Sequence, residues 1–124
     1  MSDFSHIAKS FVEFYYQTFD TNRKDLHPLY RDTSMLTFEG QQFRGVGSIT
    51  EKLVNLPFQK VMHRISTIDA QPSVFDGSIL VIVSGQLSVD EEQNPQLFSQ
   101  NFLLLPEGGS YYVFNDMFRL IYGA

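Results

Sequence analysis

Beyond Pro57 the apolar residues of this chain recur at every second position through four long runs, 58–70, 78–89, 97–105 and 111–122. Alternation of that kind marks strands that turn one face toward a core. Turn residues separate the runs: Gln71-Pro72, Asp76-Gly77, Asn94-Pro95 and Glu107-Gly108-Gly109. Links this short join antiparallel neighbours, because parallel neighbours need crossover segments that this half of the chain lacks.

The first half follows a different rhythm. Phe4, Ile7, Ala8, Phe11, Val12, Phe14, Tyr15 and Phe19 recur at steps of three and four, which predicts an amphipathic helix. Ser2 or Asp3 is placed to cap its start, and Asp20 with Asn22 supplies turn chemistry at its end. A shorter helical segment is expected over 23–30, limited or split by Pro28, which lacks an N–H donor. A strand over 34–38 turns at Glu39-Gly40-Gln41 into Gln42-Phe43-Arg44 and ends at Gly45. A last helix places Val46, Ile49, Leu53 and Leu56 on one face, with Ser48 as cap and Pro57 as stop.

Helices followed by a run of strands make the fold α+β, one domain over 1–124, with a strongly curved and mainly antiparallel sheet wrapped around the amino-terminal helices. One sheet face gathers Ile79, Val81, Val83, Leu87 and Val89, together with Tyr112, Phe114, Phe118, Leu120 and Tyr122. The opposite face is also apolar: Leu80, Ile82, Leu103, Leu105, Val113, Met117 and Ile121 lie out of phase with the first set. So small a chain has few elements left to cover that second face, which points to a homodimer packing sheet on sheet.

Charge narrows the partners. The net charge is −5, and nine Lys and Arg are scattered without forming a stripe, so nucleic acid is not an expected partner. No apolar run approaches the roughly 20 residues of a membrane span, nor does the start read as a signal peptide. We expect no membrane insertion and a cytosolic or nuclear setting. The absence of cysteine excludes disulfides, thiolate zinc sites and cysteine nucleophiles. His6 and His27 have no carboxylate spacing suited to a metal, so neither metal nor cofactor is expected.

Asp90-Glu91-Glu92 at the end of an apolar strand is the most pointed local feature. Acids at a strand-to-turn junction ordinarily just keep an edge soluble. Here Glu39 occupies the tip of the other hairpin, and Phe38, Leu56, Leu87, Phe98 and Phe118 offer apolar surface at strand or helix ends. Such a rim suits a Lys- or Arg-flanked hydrophobic group. His63 reads as a structural hydrogen-bonding residue. Asp69, Asp116, Tyr15 and Tyr112 are candidates for a cavity wall, where burial raises a carboxyl pKa into the range of a general base. Neither a nucleophile elbow nor a phosphate loop is present. Phe4, in the first turn of the first helix, is expected to be partly exposed and so able to anchor phenylalanine-containing segments of a disordered partner.

Six blocks carry a likeness to a known family: Phe14-Tyr15-Tyr16, Glu51-Lys52-Leu53, Leu56-Pro57-Phe58-Gln59-Lys60, Asp69-Ala70-Gln71-Pro72, Asp90-Glu91-Glu92-Gln93-Asn94-Pro95 and Tyr111-Tyr112-Val113-Phe114-Asn115-Asp116. Together they resemble the nuclear transport factor 2 family, its fungal branch especially, over almost the whole chain. The resemblance implies a cone-shaped fold and a homodimer. It also implies a carrier, not an enzyme, that takes the GDP-bound small GTPase Ran into the nucleus while touching phenylalanine-glycine repeats of nucleoporins. Cytoplasm and nucleus, with enrichment at nuclear pores, follow as its places. It further implies that Glu39, Asp90 and Glu92 form the Ran-binding acidic rim and that Phe38, Leu56, Val61, Leu87, Met117 and Phe118 form the cavity wall. Phe4 aligns with the family's repeat-binding aromatic; animal members carry tryptophan at the positions of Phe4 and Phe38. The competing expectation is an isomerase or dehydratase acting in the cone, with Asp116 or His63 as base and Tyr15 as donor.

Overall fold

A computed structural model describes residues 3–90 and 94–122. Helix α1 (Phe4–Thr21) leads into a 3-10 turn (Arg23–Leu29), strands β1 (Tyr30–Phe38) and β2 (Gln41–Arg44), and helix α2 (Val46–Val54). Four long strands follow: β3 (Val61–Pro72), β4 (Ile79–Val89), β5 (Gln96–Glu107) and β6 (Ser110–Ile121). They form one sheet in the order β2-β1-β6-β5-β4-β3. The pairs β3–β4, β4–β5 and β5–β6 are antiparallel, as the short turns require. The pair β1–β6 is parallel, with the entire intervening chain as its crossover. No helix of the described residues is long and apolar enough to cross a membrane.

The α1 stripe buries Ala8, Phe11, Val12, Tyr15, Tyr16 and Phe19. Phe14, expected on that stripe, is 53% exposed, and Tyr16 takes the inward place. The 100° step per residue puts 12, 15, 16 and 19 on one side and leaves 14 opposite. Asp3 makes no side-chain cap, and Ser2 lies outside the described residues. Helix α2 likewise starts at Gly45, at φ 91°, without a side-chain cap; Ser48 lies inside it. The 3-10 turn is closed at its start by the Asn22 side chain, which accepts from the Lys24 N–H. Pro28 falls in its last turn, where a tight three-residue repeat loses little from the missing donor.

Irregularities in three strands bend the sheet into a cone, a register shift between Tyr30 and Met35 on β1 among them. Between Ile65 and Thr67 strand β3 carries an extra residue, opposite Gly85 and Ser84. A Cβ on Gly85 would stand 2.3 Å from the Arg64 carbonyl oxygen, so only glycine lets the bulged strand approach this closely. The second bulge skips Phe114 between Val113 and Asn115 on β6. It reverses the strand's alternation: Val113, Asp116 and Phe118 are buried, and Val113 faces the core instead of the outer side. The expectation that Tyr112 and Phe114 share the face of Phe118 fails at this bulge, which strict period-two reading does not detect.

Candidate functional site

The open end of the cone holds a cavity of about 330 Å³. Phe38, Leu56, Val61, Leu87 and Phe118 line it, and Leu36, Leu53, Phe58, Val89 and Leu120 complete the apolar wall. Phe38, Phe118 and Phe98 stack in series: Phe38 and Phe118 at 4.7 Å between ring centroids and 13° between planes, Phe118 and Phe98 at 5.7 Å and 24°. Offset stacking of this kind holds each ring in one orientation and keeps the cavity open. Met117, expected in the wall, is not part of it. It lies between the buried Asp116 and Phe118 on a strand, so its side chain must point to the other face, where it is 51% exposed.

Both described acids of the rim adopt left-handed backbone conformations, Glu39 at φ 51° and Asp90 at φ 52°. They are the only non-glycine residues among those described with positive φ. Strain of that order is concentrated at functional sites when the surroundings enforce it. The enforcement is visible. Glu39 lies in the β1–β2 turn, its N–H donates to the Phe118 carbonyl at 3.1 Å, and its carboxylate accepts from the backbone N–H of Leu120. The Tyr122 hydroxyl adds a longer bond of 3.4 Å. Glu39 is therefore fastened to two cavity-lining residues of β6 without lining the cavity itself.

Asp90 is exposed at the end of β4 and does line the cavity. One carboxylate oxygen accepts from the backbone N–H groups of Lys60 at 3.0 Å and Gln59 at 3.1 Å. Those two donors hold its carboxyl below the usual carboxylate range, with the Arg23 guanidinium adding a smaller pull in the same direction. Its own N–H donates to the Lys60 carbonyl at 2.7 Å. Glu92 lies outside the described residues.

The cavity floor is polar but internally satisfied. Tyr16 donates to Gln100 Oε1 at 2.6 Å; Gln100 Nε2 donates to Asp116 Oδ1 at 2.7 Å; Tyr30 donates to Asp116 Oδ2 at 2.7 Å. Tyr15 lies 3.1 Å from the Tyr30 hydroxyl. Burial pushes the Asp116 carboxyl up to about 6 against the pull of its three donors, and raises Tyr15, Tyr16 and Tyr30 well above a normal phenol. Asp116 is fully buried and does not line the cavity. His63 does, but its Nδ1 lies 2.6 Å from Asp20 Oδ1 and its backbone N–H donates to Asp20 Oδ2 at 2.8 Å. Asp20, expected to serve the helix end, instead ties α1 to β3. Tyr112 and Asp69 do not line the cavity. No group of three His, Cys, Asp or Glu able to hold a metal occurs among the described residues.

Phe4 borders a second, shallower depression of about 550 Å³ between α1 and the β3–β4 connection, lined also by Ile7, Pro72, Val74, Phe75 and Tyr111. Val74 and Phe75 are both exposed there. Across the outer sheet face, Leu80 pairs with Leu103, and Ile82, Asn101 and Met117 form one row over β4, β5 and β6. Ile82 is 45% exposed.

Sequence reasoning passes over Phe58 as wall and Arg23 as neighbour of the rim. The sole sequence cue for Phe58 is its place directly after the helix-stopping Pro57, inside a connector that has to cross the mouth.

A family model described as the nuclear transport factor 2 (NTF2) domain matches residues 7–120. The chain is 62% identical to nuclear transport factor 2 of Emericella nidulans over 125 residues, covering 100% of both chains. It is 60% identical to that of Saccharomyces cerevisiae over 122 residues, covering 98% of each. Its structure is similar to that of nuclear transport factor 2 from Cryptosporidium parvum, with a TM-score of 0.90, 47% identity, and coverage of 95% of this chain and 94% of the other.

Proposed function

The chain belongs to the nuclear transport factor 2 family, and from that membership we propose that it carries GDP-bound Ran into the nucleus through pores lined by phenylalanine-glycine repeats. A nuclear transport role follows from full-length identity of 60% and more to relatives of that name. The same relatives set aside the isomerase or dehydratase reading, because they are named for transport and not for a reaction.

The observation that carries the finer reading is the pairing of an apolar, ring-walled cavity with two acids strained into place at its edge. A benzyl side chain entering the cavity exchanges water for the Phe38–Phe118 stack and the Leu56, Val61 and Leu87 wall. Basic neighbours of that ring pair with Glu39 and Asp90, and with Glu92, which lies outside the described residues. Because both carboxylates are already oriented by backbone donors, little side-chain entropy remains to be lost on pairing. Selectivity for the GDP state then requires only that the GTP state separate the ring from its cations, which removes the joint fit and releases the carrier. Phe4 and the depression beside it offer the surface for nucleoporin repeats, whose individually weak contacts exchange quickly. The outer apolar face of β4–β6 packs against a second copy to form the homodimer. The carrier then shuttles between cytoplasm and nucleus and concentrates at pores.

Conservative substitutions test the rim. Asp90→Asn keeps an acceptor for Gln59 and Lys60, and asparagine tolerates the left-handed backbone, so charge alone is removed. Glu39→Gln does the same at the Leu120 N–H. Each should weaken the binding of GDP-bound Ran several-fold or more, and charge reversal to Lys should abolish binding, with the melting curve of the Asn and Gln variants close to wild type. Wild-type affinity in both neutral variants would refute the assignment.

A further inference from the structure

A cation stacks against the rings of the cavity wall without lining the cavity itself. Arg23, first residue of the 3-10 turn, lays its guanidinium 4.8 Å from the centroid of the Phe58 ring and 5.8 Å from that of Phe19. Both rings line the cavity. Its Nη2 donates to the Phe58 carbonyl at 2.9 Å. The next two backbone N–H groups along the chain, of Gln59 and Lys60, are the ones that hold the Asp90 carboxylate. The segment between α2 and β3 that contains all three has neither helix nor strand structure of its own. Its backbone is fastened by short local bonds, Leu56 N–H to Leu53 and Phe58 N–H to Leu56, and by the bond from the Asp90 N–H to Lys60.

We propose that Arg23 is a positioning residue: it pins the Leu56–Lys60 lip and, through that lip, holds the Asp90 carboxylate where a cation beside an inserted aromatic ring can reach it. The inference rests on the reading of the cavity as the Ran site. Its consequence runs against simple electrostatics. Taking a positive charge away from an acidic mouth should draw a basic partner in more strongly. Loss of the pin should weaken that partner, because a carboxylate and a lip ring that wander must be ordered again on binding. Arginine suits this place and lysine does not: the planar fork stacks on the ring faces while one nitrogen still donates to a carbonyl. Burial lowers the Arg23 pKa, and the negative charge of Asp90 raises it through space.

The test is calorimetric titration of full-length Arg23→Met, Arg23→Lys and, as a charge control on the exposed neighbour, Lys24→Met with GDP-bound Ran, together with Asp90→Asn and its double variant. Arg23→Met should bind about tenfold more weakly, Arg23→Lys should fall between, and Lys24→Met should bind as wild type or slightly tighter. On the Asp90→Asn background, Arg23→Met should add less than about a further twofold loss. Affinity in Arg23→Met equal to or above that of Lys24→Met, or a full cost on the Asp90→Asn background, would overturn the proposal. A second arm needs no partner: carbon-13 titration of the Asp90 carboxyl. In Arg23→Lys, where the charge remains, its pKa should rise toward the ordinary aspartate range, since the Gln59 and Lys60 donors are no longer held in place; an unmoved titration rejects the pin. If Asp90→Asn and Glu39→Gln both bind Ran normally, the cavity reading fails, and this second arm still judges Arg23.

Discussion

Replacing Asp116 by asparagine should change how stability depends on pH, by an amount the floor network sets. Asp116 is buried without exposure, and its carboxyl is pushed from 3.8 to about 6. A folded-state pKa above the unfolded value means that folding favours the protonated form. The stabilising contribution is thus complete below about pH 3.8 and is lost as pH rises through about 6. A displacement of that size corresponds to about 3 kcal/mol. The amide of Asp116→Asn cannot titrate, so the wild-type minus variant difference should move by about 2.5 kcal/mol in favour of wild type between about pH 7.5 and pH 4. On top lies a pH-independent offset of about 1–3 kcal/mol. With the amide oxygen kept toward Gln100 Nε2, the new Nδ2 donor faces the Tyr30 and Tyr15 hydroxyls; both lose the carboxylate as acceptor, and since only one of them can donate to the other, one buried phenol proton is left without a partner. Urea unfolding followed by circular dichroism across that pH range, at one protomer concentration, measures both quantities. Asp90, whose carboxyl is held low, loses its contribution as pH falls, but it does so equally in both proteins and cancels in the difference. Parallel pH curves for the two proteins would refute a buried, strained carboxylate, and with it the claim that the cavity floor is structural.

Other perturbations address the remaining surfaces. Phe4→Ala should weaken capture on phenylalanine-glycine repeat resin several-fold while leaving GDP-bound Ran titration unchanged; loss of both, or of neither, contradicts a separate repeat surface. Ile82→Glu places a charge at the β4 end of the Ile82–Asn101–Met117 row. Analytical ultracentrifugation should show a shift from dimer toward monomer at micromolar protomer, and an unchanged sedimentation profile would argue that another face mediates assembly.

How far the sequence can be read follows from how local each feature is. The α1 stripe and the β4 alternation depend only on neighbours in the chain, and both appear where spacing puts them. The turn at Asp90 is likewise announced by its own acids and by the end of an apolar run. The pairing of β1 with β6 is different, because residues such as Leu36 and Asp116 meet across most of the chain and neither carries a mark of the other. Met117 falls outside the wall as alternation alone requires, Phe118 and Leu120 inward and Met117 outward; only the family resemblance put it in the wall, whereas the bulge at Phe114, which has no composition of its own, is what misplaces Val113. Asp20 reads as a helix terminator, yet its partner His63 comes from β3, far along the sequence. The same holds for Arg23, whose value lies in a carbonyl 35 positions away.

The central claim is that the acid-edged cavity recognises an aromatic ring and its basic neighbours only when one partner state presents them together. Calorimetric titration of the wild-type protein with Ran loaded with GDP, and separately with GTP, tests this most directly. The GDP form should bind saturably, and the GTP form should bind about a hundredfold or more weakly. Equal affinities, or heat from neither, would contradict it.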